Sequence, residues 1–280
     1  MKKRLLSVLL AFLVFLLVCG CARSEQAEAT SAKETVIEGK LPKEKTYKIL
    51  FIGNSYTYTN DMPTAYFEKM AESCGYQVQI TAVTKGSYTL EKFADFEDPY
   101  GERVSVNLSS PGYDYVILQE QSVRPVTDFE KFRNAVENLN ERIRAVGAQP
   151  VLYATWGRKA GSEKLQELGL TTEAMTWKLA AAYAAVGAEL DIPVIHAGAA
   201  FYDVNTNTGI ELYNPDMSHP SKEGSYLAAL TLFCGIFGVD PEGVSFADNL
   251  TNAEVSALQA AAKKVVFEEV VIPENYKQEG

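Results

Sequence analysis

Histidine is nearly absent from this chain: His196 and His219 are the only two in 280 residues. They lie far apart and neither is accompanied by a Cys-x-x-Cys pair, so the ligand spacing of a zinc site is missing. Cysteine is scarce as well, with four residues. Cys19 and Cys21 fall at the amino-terminal end. Cys74 and Cys234 sit in apolar helical patterns and read as buried free thiols, too few for a disulfide framework. Long apolar runs are lacking beyond residue 18, and the one that exists, residues 5–18, falls short of the ~20 residues needed to span a bilayer as a helix. Basic residues are outnumbered, 26 against 36 acidic. That balance excludes a nucleic-acid partner, because binding phosphates requires clustered Lys and Arg. It leaves a neutral sugar or a small ester open.

The amino-terminal end has the parts of a secretion signal. Met1, Lys2, Lys3 and Arg4 form a positive segment, and Leu5 to Val18 form its apolar core. The run closes in Leu17-Val18-Cys19-Gly20-Cys21. A small residue directly before a cysteine, after aliphatic residues, resembles the bacterial lipobox. The resemblance implies cleavage after Gly20 and a lipid on Cys21, holding the protein on the outer face of the cytoplasmic membrane. Cleavage removes three basic residues and leaves a net charge of −13. Residues 21–45 are polar, with few large apolar side chains, and cannot bury enough surface to offset their ordering entropy. They are expected to tether the lipid to a domain spanning 46–280.

The domain alternates strand and helix patterns. Strands are expected at Tyr47–Ile52, Tyr76–Val83, Tyr113–Leu118, Pro150–Tyr153 and Ile192–Ile195. Helices are expected at Asp61–Cys74, Phe129–Val146, Thr171–Leu190, Ser221–Phe237 and Asn252–Val270. Short strands separated by longer helices mean βαβ units and a mainly parallel sheet. In such sheets ligands sit at the carboxyl ends of the strands, so the polar residues just after each strand carry the chemistry.

Two of those segments stand out. Gly53-Asn54-Ser55 follows the first strand and places a serine on a tight turn into a helix, the kind of position that exposes a nucleophile. Asp216-Met217-Ser218-His219-Pro220 offers a base with a carboxylate three residues before it. A serine nucleophile needs both, one to take its proton and one to orient the base. Taken with Gly86 and with Gln119-Glu120-Gln121-Ser122, in this order, the segments resemble the four sequence blocks of the SGNH/GDSL hydrolase superfamily. Asn54 stands where the family usually has Asp, and Gln121 where it has Asn.

The resemblance implies a three-layer α/β/α sandwich with a five-stranded sheet, and ester hydrolysis through an acyl-enzyme without metal or organic cofactor. It assigns Ser55 as nucleophile, His219 as base and Asp216 as its orienter. The N–H groups of Ser55 and Gly86 and the side chain of Gln121 become the oxyanion donors. The expected substrate is a small acylated molecule, an acetylated carbohydrate by preference. The alternatives are a glycan-binding protein that lost turnover, and a lipase or thioesterase. Around the expected cleft, Trp156 reads as a buried aromatic more readily than as a sugar platform, and His196 as a core or rim histidine. Arg158 could hold an anionic substituent or be solvated. Glu120 could be a second acid or a partner of Arg124. Tyr56 and Tyr58 are expected to shape the acyl pocket.

Overall fold

Strand β1 (Thr46–Gly53) is continuously apolar from Ile49 to Ile52, where both of its faces are covered. Side chains alternate across it: Ile49 and Phe51 enter one core, Leu50 and Ile52 the other. The computed structural model describes residues 41–109 and 112–277. The expected secretion signal, Cys21 and most of the expected tether lie outside the described residues. Leu41 already packs against the first core, and the Pro42 carbonyl accepts from the Tyr47 hydroxyl at 2.9 Å. The last residues of the expected tether are therefore in contact with the domain.

Strands β2 (Gln77–Thr84), β3 (Tyr115–Leu118), β4 (Gln149–Tyr153) and β5 (Val194–Ile195) complete the sheet in the order β2-β1-β3-β4-β5. Every pairing is parallel. One face is covered by the helical segment Met62–Ser73 and by helices Ala197–Asn207, Lys222–Phe237 and Asn252–Phe267. The other is covered by Leu90–Ala94, Pro99–Ser109, Phe129–Ala145 and Thr172–Leu190. This is a three-layer α/β/α sandwich. Among the described residues no helix is long and apolar enough to cross a membrane.

The register aligns the strand exits. Gly53 pairs with Thr84, Ile52 with Leu118, Leu118 with Leu152, and Tyr153 with Ile195. The segments after β1, β2, β3 and β4 therefore emerge along one edge. The chain leaves β1 toward β2 on one side and then returns to place β3 on the other, which makes the β1/β3 exit a topological switch point, where open α/β sheets form their ligand crevice.

Candidate active site

At that crevice Asn54 caps a short helix, Ser55–Tyr58, with its side-chain oxygen accepting from the Tyr56 N–H at 3.1 Å. Its amide nitrogen donates to the Tyr88 carbonyl at 3.0 Å. An Asp could form the cap but not the second bond, which accounts for Asn at this position and ties the Ser55 turn to the segment after β2. Beneath the turn lies the carboxamide of Gln119, fully buried. Its oxygen accepts from the Asn54 N–H and from the Thr57 hydroxyl, both at 2.8 Å. A Cβ on Gly53 would sit 2.7 Å from that oxygen and 2.5 Å from Thr57 Oγ1, so the glycine makes room for the support.

His219 comes from a loop folded on Asp216. Asp216 Oδ1 accepts from the Ser218 and His219 N–H groups, each at 3.0 Å, while Oδ2 meets His219 Nδ1. Met217 adopts a φ of +59°, unusual for a residue with a side chain, and completes the turn. Burial pushes the Asp216 carboxyl up, but the His219 contact and the two backbone donors hold it below the ordinary carboxylate value. On the other side of the ring, His219 Nε2 stands 2.7 Å from Ser55 Oγ, within hydrogen-bond reach. Hydroxyl, imidazole and carboxylate thus form one hydrogen-bonded chain, an arrangement that can draw a proton from Ser55 as its oxygen attacks.

The loop is held from below by aromatic packing. Trp156, fully buried, stacks between Tyr56 (4.7 Å between ring centres) and Phe201 (4.0 Å), and donates its indole N–H to the Ser218 carbonyl at 3.1 Å. The Tyr56 hydroxyl is 2.8 Å from Ser218 Oγ. Trp156 is a core residue, as its sequence context suggests, and the same bonds fix the His219 loop against the sheet. His196 is buried and apart from this chain, and burial pushes it down to about 4.

The segment after β3 differs from simple alternation, which puts Gln119 and Gln121 on one side and Glu120 on the other. Gln119 and Glu120 are both buried, and Gln121 alone faces the cleft. The reason is that Gln119 still continues the strand, with its N–H on the Ile52 carbonyl at 2.9 Å, and fills the space that Gly53 leaves. Glu120 Oε1 accepts from the N–H groups of Gln121 and Leu90, Oε2 has no partner, and burial pushes the carboxyl up to about 7. It is not the partner of Arg124, which pairs with Glu91 and Asp128. The Gln121 oxygen folds back to accept from the Val123 and Arg124 N–H groups at 3.0 and 3.2 Å. That leaves its NH₂ without a partner among the described residues. The Ser55 and Gly86 N–H groups also donate to no described residue. Tyr56 lines the cleft, whereas Tyr58 is exposed and does not, its hydroxyl standing 3.0 Å from where a Gly86 Cβ would be.

The cleft over Ser55 has a volume of about 160 Å³. Apart from the Tyr56 ring its walls are polar, and they include Ser87, Ser122, Arg158 and Ser218, which the sequence motifs do not single out as a group. A sequence signal for Gln119 does exist: an amide side chain directly after an apolar strand must find buried partners. Of the two thiols, Cys234 is buried and Cys74 only half-buried, since it ends its helix at the surface.

No family model matches the chain, and no curated protein does. Solved structures do. A protein from Slackia heliotrinireducens assigned to the SGNH hydrolases is 33% identical, over 68% of this chain and 98% of that one, with a TM-score of 0.60. A DUF4886 family protein from Bacteroides uniformis shares the fold at 18% identity, over 83% of this chain and 100% of that one, with a TM-score of 0.71. An acetylxylan esterase from Geobacillus stearothermophilus shares it at 13% identity, over 75% and 98% of the two chains, with a TM-score of 0.51. On the identity and coverage of the first of these, together with the fold and the order of the motif residues, the chain belongs to the SGNH/GDSL hydrolase superfamily and is a serine hydrolase.

Proposed function

We propose that the protein is an esterase that removes a short acyl group, acetyl by preference, from a carbohydrate-type alcohol. The observation that carries this reading is the Ser55–His219–Asp216 chain opening into a small polar cleft. Ser55 Oγ attacks the carbonyl carbon as His219 Nε2 takes its proton, and Asp216 orients the ring through Nδ1 and stabilises the imidazolium. The N–H groups of Ser55 and Gly86 and the NH₂ of Gln121 hold the oxyanion. The intermediate collapses with release of the alcohol, which takes the proton from His219. Water, deprotonated by the same nitrogen, then frees the acid and restores Ser55.

Three observations support a short acyl group. Clefts for drug-sized ligands run to roughly 300–1,000 Å³, well above the volume here. Among the described residues no aliphatic side chain lines the cleft, so a long acyl chain finds nothing apolar there to bury against. The acetylxylan esterase among the structural neighbours acts on an ester of that size. The test is a series of p-nitrophenyl esters from acetate to decanoate, run with wild type and Ser55→Ala. Turnover should be highest for acetate and lost in the variant; a maximum at long chains would replace the short-acyl reading with a lipase or thioesterase.

We also propose that Cys21 carries a lipid and that the enzyme works on the outer face of the cytoplasmic membrane. The short apolar run ending in Gly20-Cys21 supports this. Mass spectrometry of the mature amino terminus in the native host decides it: a diacylglyceryl Cys21 is expected, and an unmodified end beyond Cys21 would remove the anchor.

A further inference from the structure

Arg158 brings a positive charge into the cleft without a counter-ion. It follows β4 and lines the same small cavity as Ser55 and His219. One guanidinium nitrogen, Nη2, donates to Ser122 Oγ at 3.1 Å, and that is the only side-chain bond it makes among the described residues. Its Nε is closed off from solvent and has no acceptor among the described residues, so an anion in the cleft would meet the guanidinium through its terminal nitrogens. No carboxylate of the described residues lies within ion-pair distance. Asp216, the acid that shares the cavity, is committed to His219 and to two backbone donors. A cation held partly out of water with unmet donors costs stability, and a buried donor without a partner calls for an explanation. A guanidinium offers paired, coplanar N–H groups that match the two oxygens of a carboxylate, and a single positive charge is balanced by that anion's single negative one.

The direction of the reaction says which part of the ester would carry that anion. The departing alcohol must take its proton from His219 Nε2, so it leaves on the side of the His219 loop. A second cavity, of about 370 Å³, adjoins the first there, bordered by Pro215, Asp216 and Met217 of that loop and again by Arg158. The larger, alcohol part of the substrate fits this second space. The cavity also holds Glu163 and the Lys164–Glu167 pair, so its overall charge is not positive. Recognition there would be a local contact with Arg158, not a general attraction, and one guanidinium balances one negative charge.

We propose that Arg158 binds a carboxylate on the alcohol part of the ester, making the natural substrate a short-chain ester of an acidic sugar or related hydroxy acid. This rests on the esterase reading above. The test compares acetylated methyl glucuronide with its uncharged carboxamide and with an acetylated sugar phosphate, in wild type and Arg158→Gln. The readout is the ratio of kcat/KM for acid over carboxamide. Wild type should favour the acid by about tenfold or more, the scale of one charged hydrogen-bonded contact, with the gain mainly in KM. The ratio should fall toward one in Arg158→Gln. Binding of the same compounds to Ser55→Ala, followed by calorimetry, measures the preference without turnover, and p-nitrophenyl acetate separately reports whether the Ser55 reading stands. Equal binding of acid and carboxamide, an unchanged ratio in folded Arg158→Gln, or a preference for the phosphate would each overturn the carboxylate assignment.

Discussion

Replacing Glu120 by Gln should change how stability depends on pH, by an amount the structure sets. An ordinary Glu titrates near 4.5, whereas fully buried Glu120 is pushed up to about 7. Between those values the folded chain holds a proton that the unfolded chain has released. Stability therefore falls as pH rises through this window and levels off above it. At about 1.4 kcal/mol per pH unit of separation, the loss is about 3 kcal/mol in order of magnitude. His196 acts in the opposite sense. It is buried and pushed down from 6.5 to about 4, so between those values the unfolded chain binds the extra proton and stability rises with pH. The two slopes offset one another over most of pH 4.5–6.5. Glu120→Gln resembles the protonated acid: its oxygen can still accept from Leu90 and Gln121, and its NH₂ takes the place of the partnerless Oε2. Urea unfolding of both proteins between pH 4.5 and 7.5, followed by tryptophan fluorescence, gives the difference directly. The variant should gain on wild type by about 3 kcal/mol across that range. A difference that stays flat would show that Glu120 titrates as an exposed acid does.

Other substitutions separate the parts of the site. Gln119→Leu should lower kcat by about tenfold or more with little change in KM, because the turn carrying Ser55 loses the acceptor under Asn54 and Thr57 and small misplacements are costly; steady-state kinetics on an acetyl ester check it. Gln121→Ala should also act on kcat, by about 10²–10³ if its NH₂ is a full oxyanion donor, and an unchanged kcat would take it out of the hole. His219→Ala should lose about 10³-fold or more in kcat/KM while His196→Asn keeps most of it; the reverse order would exchange their roles.

Much of the fold is legible in the sequence because buried parallel strands read as short apolar runs. Tyr47–Ile52 is β1 almost to the residue, and Gly53 and Gly147 punctuate the pattern where the chain turns. Helix Ala197–Asn207 is hidden, because Ala and Gly packed on nearly every side of its first two turns leave no apolar stripe to count. Helix Pro99–Ser109 is hidden for the opposite reason: it buries only Gly101, Val104 and Leu108. Strand β5 shrinks to two residues, since Ile192 packs in the second core before pairing begins. In the site, Asp216 and His219 are legible through their spacing. Burial of Gln119 and Trp156 is legible too, but the partners of Gln119, Asn54 and Trp156 are not, because these residues hold others in place through contacts more than 30 positions away in the chain. Patterning records what is buried, and says little about which buried amide meets which backbone group.

The central claim is that His219 activates Ser55. A fluorophosphonate reacts only with an activated serine oxygen, so labelling followed by peptide mass spectrometry tests it most directly. One phosphonyl group per chain is expected, on Ser55, with the rate reduced by orders of magnitude in His219→Ala and no label in Ser55→Ala. A label on Ser87 or Ser122, which share the cleft, or ester turnover that persists in folded Ser55→Ala, would contradict it.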